Sequence, residues 1–393
     1  MKCASLYTLE MDDFKLALKE LTDQLNNQIT LQSNTIGIIN CHPEFLVTGV
    51  VEYLSENLPF ETIGITTASQ ATNGTCEDVS LTIFVMTADD VEFTLGLTSS
   101  ISDGLGNQME DALKGLGLVS GQDNDIKLGF IFPPVIFKNA GDEYPEKWAK
   151  FLPGVPLFGA MSCDATATLT DARGLLNGKI YKYEVPFLLC RGNINPRFMI
   201  ATLSNDAKLP YRGEVTKSQG NYVYQLNGMD ISEYMKDIGF LDINGYESAF
   251  WQVPFEITSK SGELVDGVPV LRCLTWESIS KGKPGSFLGK VEEGSLFVMR
   301  DISADAIKEE TNRVATAIAD LPEVNGVLSF ACTLRRISML DTDAEGELKI
   351  IKQALGSTPF MTGYVAGEIC PTSVREKGAT NRFHNFSIVF CIL

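Results

Sequence analysis

The densest chemistry in the chain lies in its last third, where reactive side chains fall at the ends of apolar runs. Cys332-Thr333-Leu334-Arg335-Arg336 closes one run, Gly363-Tyr364-Val365-Ala366-Gly367-Glu368-Ile369 forms the next, and His384-Asn385 opens the last. Two cations, a carboxylate, a phenol, an imidazole and an amide therefore gather where strands begin or end. One reading is an ion pair between Arg335 and Glu368 that holds the sheet ends. Another is a nucleophile, with Cys332 or Cys370 as the thiol, His384 as its base and Glu368 orienting the imidazole, because a thiolate needs an adjacent base and the base needs a partner. A lone cysteine in an apolar strand is, however, more often a small buried hydrophobe.

Other motifs fall short of the chemistry they imitate. Gly104-Leu105-Gly106 lacks the third glycine of a dinucleotide fingerprint, Met109 standing in its place, and Ser102 and Asp103 read as helix caps. Gly178-Lys179 and Gly289-Lys290 are followed by Ile180 and Val291, so neither is a phosphate-binding loop. Asp341-Thr342-Asp343-Ala344-Glu345-Gly346 opens like a calcium loop, but its twelfth position is Lys352 where a bidentate carboxylate is required, and it reads as an acidic helix start. Imidazole metal sites are limited by having only His42 and His384, and the nine cysteines never form a C-x-x-C pair. No metal and no cofactor is expected.

The elements that must position these side chains come as a recurring unit of strand, helix, glycine strand, loop and strand. The first copy runs through 35–40, a helix after Pro43, Gly64-Ile65-Thr66-Thr67 and 79–86. The second uses 128–132, 143–152, Pro156-Leu157-Phe158-Gly159 and 181–190; the third uses 326–334, 344–355, 359–363 and 383–391. Strands alternating with helices predict an α/β fold bordering on α+β, in which repeated strand-helix-strand-strand units form mixed sheets covered by helices. Glycine weakens a strand interior unless a backbone or ligand comes close, so Gly64, Gly159 and Gly363 are candidates for lining one cleft. Before these units, Phe14, Leu18, Leu21 and Leu25 recur at helical spacing behind two acids, a surface helix. Pro210, Gly213 and Gly220 interrupt the pattern and predict a domain break. Beyond it, Asn227-Gly228 is a turn and Asp230 caps a helix.

At 393 residues, 44% hydrophobic and 21% charged, the chain is long and apolar enough for two or three cores. A net charge of -18 repels polyanions, so neither nucleic acid nor an anionic membrane surface is an expected partner. The N-terminal residues hold no apolar leader, the longest apolar runs fall far below the roughly 20 residues of a spanning helix, and unpaired cysteines suit a reducing compartment. A cytoplasmic location is expected.

The C-terminal pattern, Cys332-x-x-Arg335, then Gly367-Glu368-Ile369, then His384-Asn385 before a last apolar strand, resembles the FIST family of intracellular sensory domains. Gly64-Ile65-Thr66-Thr67 and Pro156-Leu157-Phe158-Gly159 leading to Asp164 are similar to its N-terminal domain, although Ile65, Thr66 and Ser69 stand where the family tends to show a cysteine, a serine and a second glycine, and Ala160 follows Gly159. The resemblance implies a helical lead-in at 1–31, an N-terminal FIST-like domain at 32–215 and a C-terminal one at 216–393. It implies a sensory protein that binds a small molecule, with amino acids as the suggested class, and the ligand site falls on Arg335, Glu368, Tyr364, Gly363, Gly367, His384, Asn385, Cys332, Thr66, Thr67, Gly159 and Asp164. In that reading Arg335 takes a carboxylate in a forked geometry and Glu368 accepts from an ammonium. Transmission would fall to a separate signalling protein or to the chain's own dimerisation.

Overall fold

Val, Ile and Phe crowd three short runs that no helix period fits, and each run becomes the central strand of a sheet: Asn34–Cys41, Ile126–Ile131 and Val327–Cys332. In this computed structural model the described residues are 1–393 apart from 123–124, 165, 167–168, 204–207, 241–252, 265–266, 276–281, 340–342, 344 and 376–377. Each central strand is joined through a helix to a parallel neighbour. Val50–Asn57 leads to Glu61–Thr66, Glu143–Phe151 to Leu157–Met161, and Gly346–Leu355 to Phe360–Val365. On its other side each pairs with an antiparallel return strand, Leu81–Ala88, Pro186–Gly192 or Ile388–Ile392.

The units complete one another's sheets in a cycle. After its glycine strand each lends a strand to the unit before it: Gln70–Thr72 pairs with Phe360–Val365, Gly174–Leu176 with Glu61–Thr66, and Gly367–Arg375 with Leu157–Met161. After its return strand each lends one to the unit that follows, Val91–Leu97 to Pro186–Gly192 and Arg197–Ala201 to Ile388–Ile392. Beside the first unit's return strand that place is taken by Lys2–Thr8, which pairs along its whole length with Leu81–Ala88. The result is a pseudo-threefold arrangement of three mixed, open sheets, and the 24% helix and 38% strand content agrees with the α/β or α+β expectation.

The inner faces meet in one core that includes Ile38, Phe130, Phe132, Phe158, Leu328 and Phe330, with Phe132 and Phe330 edge to face at 6.1 Å. Helices cover the outside. The N-terminal one, Phe14–Gln28, starts where Asp13 accepts from the Lys15 and Leu16 amides and buries Ala17, Leu21 and Leu25. A fourth sheet, from Lys208–Gln219 to Leu296–Arg300, has its own core around Val223, Phe255, Phe287 and Phe297 and a buried Arg300–Glu256 pair. Its turn at Asn227-Gly228 has both residues at positive φ, 52° and 76°, and Asp230 caps the helix Ile231–Asp237. Arg272 ties this sheet to the rest through Asp142, Nη2 to Oδ1 at 2.7 Å, while the Lys290 amide donates to Asp142 Oδ2 at 2.6 Å.

Several expectations are corrected. The N-terminal segment begins with a strand as well as a helix. The break expected at 215/216 falls inside the strand Lys208–Gln219, and the sheets of the second and third units each mix strands from both sides of it. Ser102 and Asp103 cap nothing, since the nearby helix Gln108–Gly115 has Asn107 at its start. Of the calcium-like stretch, Asp341, Thr342 and Ala344 lie outside the described residues, and Lys352 sits within the helix Gly346–Leu355. Among the described residues no helix is long and apolar enough to cross a membrane.

The glycines are also resolved. A Cβ on Gly64 would lie 1.9 Å from the Ile39 carbonyl oxygen, and one on Gly159 at 1.9 Å from that of Ile131. Both are therefore glycine because the parallel neighbour's backbone approaches closely. Gly363 is not their equivalent. The shared partners Gly64 with Leu175, Gly159 with Ile369 and Thr362 with Ala71 place Thr362 in that position. Gly363 consequently faces the opposite side, where a Cβ would meet Asn40 Nδ2 at 2.6 Å. What the glycine strands do share is a ring of backbone bonds at their ends: Cys163 N–H to Thr66 O at 2.9 Å, Ala366 N–H to Met161 O at 3.2 Å and Ala68 N–H to Tyr364 O at 2.9 Å. Gly64→Ala and Gly159→Ala should each destabilise the fold by about 2–3 kcal/mol or more, as overpacking against rigid backbone does. Gly115→Ala, in a helix with open space around it, should be neutral or stabilising. Urea unfolding of the three variants checks this, and equal effects would show the strand contact to be unimportant.

Candidate functional site

Two buried polar clusters flank the third unit's sheet. The first lies between that sheet and its helices. Val327–Cys332 turns at once into the short helix Thr333–Ile337, which folds Arg335 back into the interior with no exposed surface. Its Nε and Nη2 donate to Glu347 Oε1 at 3.0 and 2.6 Å, Nη2 also to Thr311 Oγ1 at 2.9 Å, and Nη1 to the Phe386 carbonyl at 3.0 Å. The Thr311 hydroxyl donates to Glu347 Oε1 at 2.6 Å and the Tyr364 hydroxyl to Oε2 at 3.0 Å. Arg335 is therefore paired with Glu347, not with Glu368. A guanidinium held by its own protein on all three nitrogens is a poor fork for a ligand carboxylate.

The second cluster lies at the junction of the second unit, the third unit and the fourth sheet, and its centre is Glu368. This carboxyl has no exposed surface, and neither oxygen makes a hydrogen bond of good geometry. Burial raises its pKa well above the usual carboxylate range, against a smaller lowering by the Arg335 charge and by the Ser387 amide and Cys332 thiol that lie against it. Its charge is felt by four thiols, Cys163, Cys273, Cys332 and Cys370, all held well above a normal thiol first by burial and then partly by Glu368. Glu368 pairs across the sheet with Ala160 on one side and His384 on the other. Ser162, two residues past Ala160 and on the same face, has a buried hydroxyl without a partner, and so has the Nδ2 group of Asn385 next to His384. Asn385 Oδ1 accepts from the Cys273 amide at 3.4 Å, which brings the fourth sheet to the cluster. Gly367, one residue before Glu368, faces the other side of the strand, where a Cβ would press on the Phe383 ring at 2.5 Å and on Asn385 Nδ2 at 3.3 Å.

Pseudo-symmetry shows that this carboxyl is particular to one unit. The residues matching Glu368 in the other two cross-unit pairs are Gln70, opposite Gly363, and Gly174, opposite Ile65. Gln70 is fully used, accepting from the Thr67 hydroxyl at 2.6 Å and donating to Ser80 and Asp78. Gly174 has no side chain to offer.

The nucleophile reading finds little support in this geometry. His384 Nε2 lies 3.1 Å from the Cys370 carbonyl instead of engaging a thiol, and burial lowers its pKa to about 4. Cys332 and Cys370 are pushed away from thiolate, opposite to the shift an attacking sulfur requires. The N-terminal candidates stay apart from Glu368 in what they bind. Thr66 Oγ1 accepts from the Arg173 amide at 2.8 Å, and Asp164 accepts from Thr166 and from the Asp171 amide at 2.8 Å, so both hold loops together. A shallow depression lined by Pro43, Leu46, Val47 and Ile180 lies elsewhere on the surface and includes none of the Glu368 cluster. No group of three metal-ligating side chains occurs among the described residues.

Sequence reasoning missed Glu347, Ser162, Cys273 and Arg272. Glu347 had a signal: it lies four residues before Ile351, on the face of Gly346–Leu355 that also buries Leu348 and Leu355, and an acid there needs a buried partner. Ser162 and Cys273 carried none, because their roles come from which strands meet.

Arg335→Met should cost on the order of 3–5 kcal/mol by leaving the Glu347 carboxylate buried without its cation, and Glu347→Gln in the same chain should recover part of it. Urea titrations of the single and double variants measure both. Glu368 predicts a pH dependence. Its folded pKa lies above the unfolded value near 4.5, so the stability it contributes is full below that pH and falls as pH rises toward the folded value. Glu368→Gln should therefore match the parent near pH 4 and exceed it at pH 7 to 8, and a difference that does not change with pH would contradict a protonated Glu368.

Residues 35–229 match the model of the FIST N domain and residues 283–371 that of the FIST C domain. No curated protein matches the chain. The N-domain match spans the first two repeat units and the C-domain match carries Arg335, Glu347, Tyr364 and Glu368. The chain belongs to the FIST family, whose domains are sensory domains in signal transduction.

Proposed function

We propose that this protein senses a small molecule bound at the junction around Glu368, with amino acids as the class that the family resemblance suggests. One observation carries the reading. A fully buried carboxyl, Glu368, has no hydrogen bond of good geometry on either oxygen, and buried polar groups are otherwise almost always well paired. Leaving each one unmade costs about 1–3 kcal/mol, a cost that a ligand supplying complementary groups would remove. In this reading Glu368 and Ser162 accept from the ligand and Asn385 donates to it. Gly367 keeps room for the Asn385 amide, and His384 and Cys332 form walls.

The same contacts suggest how occupancy leaves the site. Asn385 offers its free Nδ2 to the ligand while its Oδ1 holds Cys273, one residue from the Arg272–Asp142 pair that ties down the fourth sheet. A ligand that fixes the amide orientation fixes this docking as well. The signal then passes to a separate signalling protein or to a second copy of the chain.

The reading is tested by a thermal-shift screen of the intact protein against amino acids and other small metabolites. A ligand at 100 times its Kd should add about 2.7 kcal/mol. Glu368→Ala and Asn385→Ala should each abolish the shift of any hit, and a hit that keeps its full affinity in both variants would place the ligand elsewhere.

A further inference from the structure

We propose that the depression between the helix Glu44–Thr48 and the edge strand Lys179–Tyr181 docks an extended segment of a partner protein. On the side facing the depression that segment carries an apolar residue flanked, two positions away, by Lys or Arg. The surface stands apart from Glu368, so its role holds whichever site the ligand takes.

Val47, at 87%, is the most exposed large apolar side chain among the described residues, and Ile180 across the depression is 46% exposed. With Pro43 and Leu46 they line about 620 Å³ of space open to solvent. Lys179–Tyr181 is the outermost strand on its side of the first sheet and pairs only with Gly174–Leu176. The two-residue turn between them, Asn177-Gly178 with φ 48° and 75°, makes Leu176 and Lys179 a hydrogen-bonded pair. Ile180, opposite Leu175, is therefore in a non-bonded position, and its N–H and C=O point away from the sheet. No protein group among the described residues bonds to either. An added strand would take both bonds, and its residue opposite Ile180 would set its side chain on the same face, over the depression.

Charge decides which chain fits. Glu44 is exposed and enters no ion pair among the described residues. Asp171 is 66% exposed and only 3.8 Å from Arg173, whose Nη1 is turned back to the Thr170 and Ala172 carbonyls at 2.7 and 2.8 Å. The rim thus offers two carboxylates beside one engaged cation. Lys179 lies on the opposite face of the strand from Ile180, and Lys182 sits over the Tyr183 ring at 5.3 Å. A net charge of -18 attracts a basic segment and repels a second copy of the chain, and lysines along an edge also oppose pairing with itself. The docking loop is tied to the interior. The Arg173 amide donates to Thr66 Oγ1 and the Asp171 amide to Asp164 Oδ2, both at 2.8 Å, and the Thr66 carbonyl belongs to the ring of backbone bonds that joins the three units.

The test is fluorescence anisotropy on the intact protein at about 0.15 M salt, where exposed charges are screened beyond about 8 Å. The probes are labelled heptapeptides, Thr-Lys-Thr-Val-Thr-Lys-Thr and two relatives in which Glu replaces both lysines or Ser replaces the valine. The first should bind with a Kd below about 1 mM and the relatives about 10-fold or more weakly, and amide exchange at Ile180 should slow on binding. Val47→Asp adds a carboxylate while removing the apolar wall, and Ile180→Pro removes the edge N–H at a position where an edge strand tolerates proline. Both variants should weaken binding about 10-fold, and thermal unfolding establishes that they are folded. Unchanged or tighter binding to Val47→Asp would reduce the effect to attraction by net charge and overturn the proposal, as would no binding of the first peptide. Sedimentation showing a dimer that Val47→Asp dissociates would give the surface to a second copy, and butylammonium displacing the peptide with equal affinity would give it to a small cation; either result overturns the proposal.

Discussion

A sheet edge has to be paired or covered, and in this protein each repeat sheet meets that demand with strands from its neighbours. The glycine strand of each unit would be an edge were it not for a strand lent by the next unit, and the return strand likewise accepts one from the unit before. Lys2–Thr8 fills the corresponding position beside Leu81–Ala88. This mutual completion also links the two halves of the chain, because the sheets of the second and third units draw strands from both. Each half lacks strands that its sheets need.

The same lending creates the candidate site. Gly367–Arg375 crosses from the third unit to pair with Leu157–Met161, and that crossing carries Glu368 into the interior opposite Ala160. The equivalent crossing strands bring a satisfied glutamine and a glycine to the matching places, so one of three similar junctions acquires an unpaired acid. The candidate site is a local departure from a repeated frame. The fourth sheet adds the remaining wall through Cys273, and the Arg272–Asp142 pair holds it there. Burial does the rest, raising the pKa of the carboxyl and of the surrounding thiols and lowering that of His384.

The two arginine and glutamate residues that stood out in the sequence have separate lives in the structure. Arg335 and Glu368 looked like partners because both sit at strand ends of one unit, yet the short helix Thr333–Ile337 buries Arg335 against the covering helices, where Glu347 meets it. The Glu347 network holds helix, sheet and loop together, and it frees Glu368 from a charge partner. A structural ion pair thus sets the conditions of the neighbouring site by occupying the cation that would otherwise neutralise it.

Local pattern alone was enough to read the three recurring units, their central and glycine strands, the N-terminal helix, the Asn227-Gly228 turn and the Asp230 cap, because hydrophobic period, turn chemistry and caps depend on residues a few positions apart. It also marked Glu368, Asn385, His384 and Arg335 as the place to look. Tertiary structure alone decided who meets whom. A one-residue shift in a strand reverses the face of every side chain, which is why Gly363 looked like the third copy of Gly64 and Gly159 and instead faces Asn40, while Thr362 takes their position. The arrival of Ser162 and Cys273 follows from strands that meet across more than a hundred residues of chain. No local spacing encodes such exchanges, since they are set by which sheet edges remain to be paired.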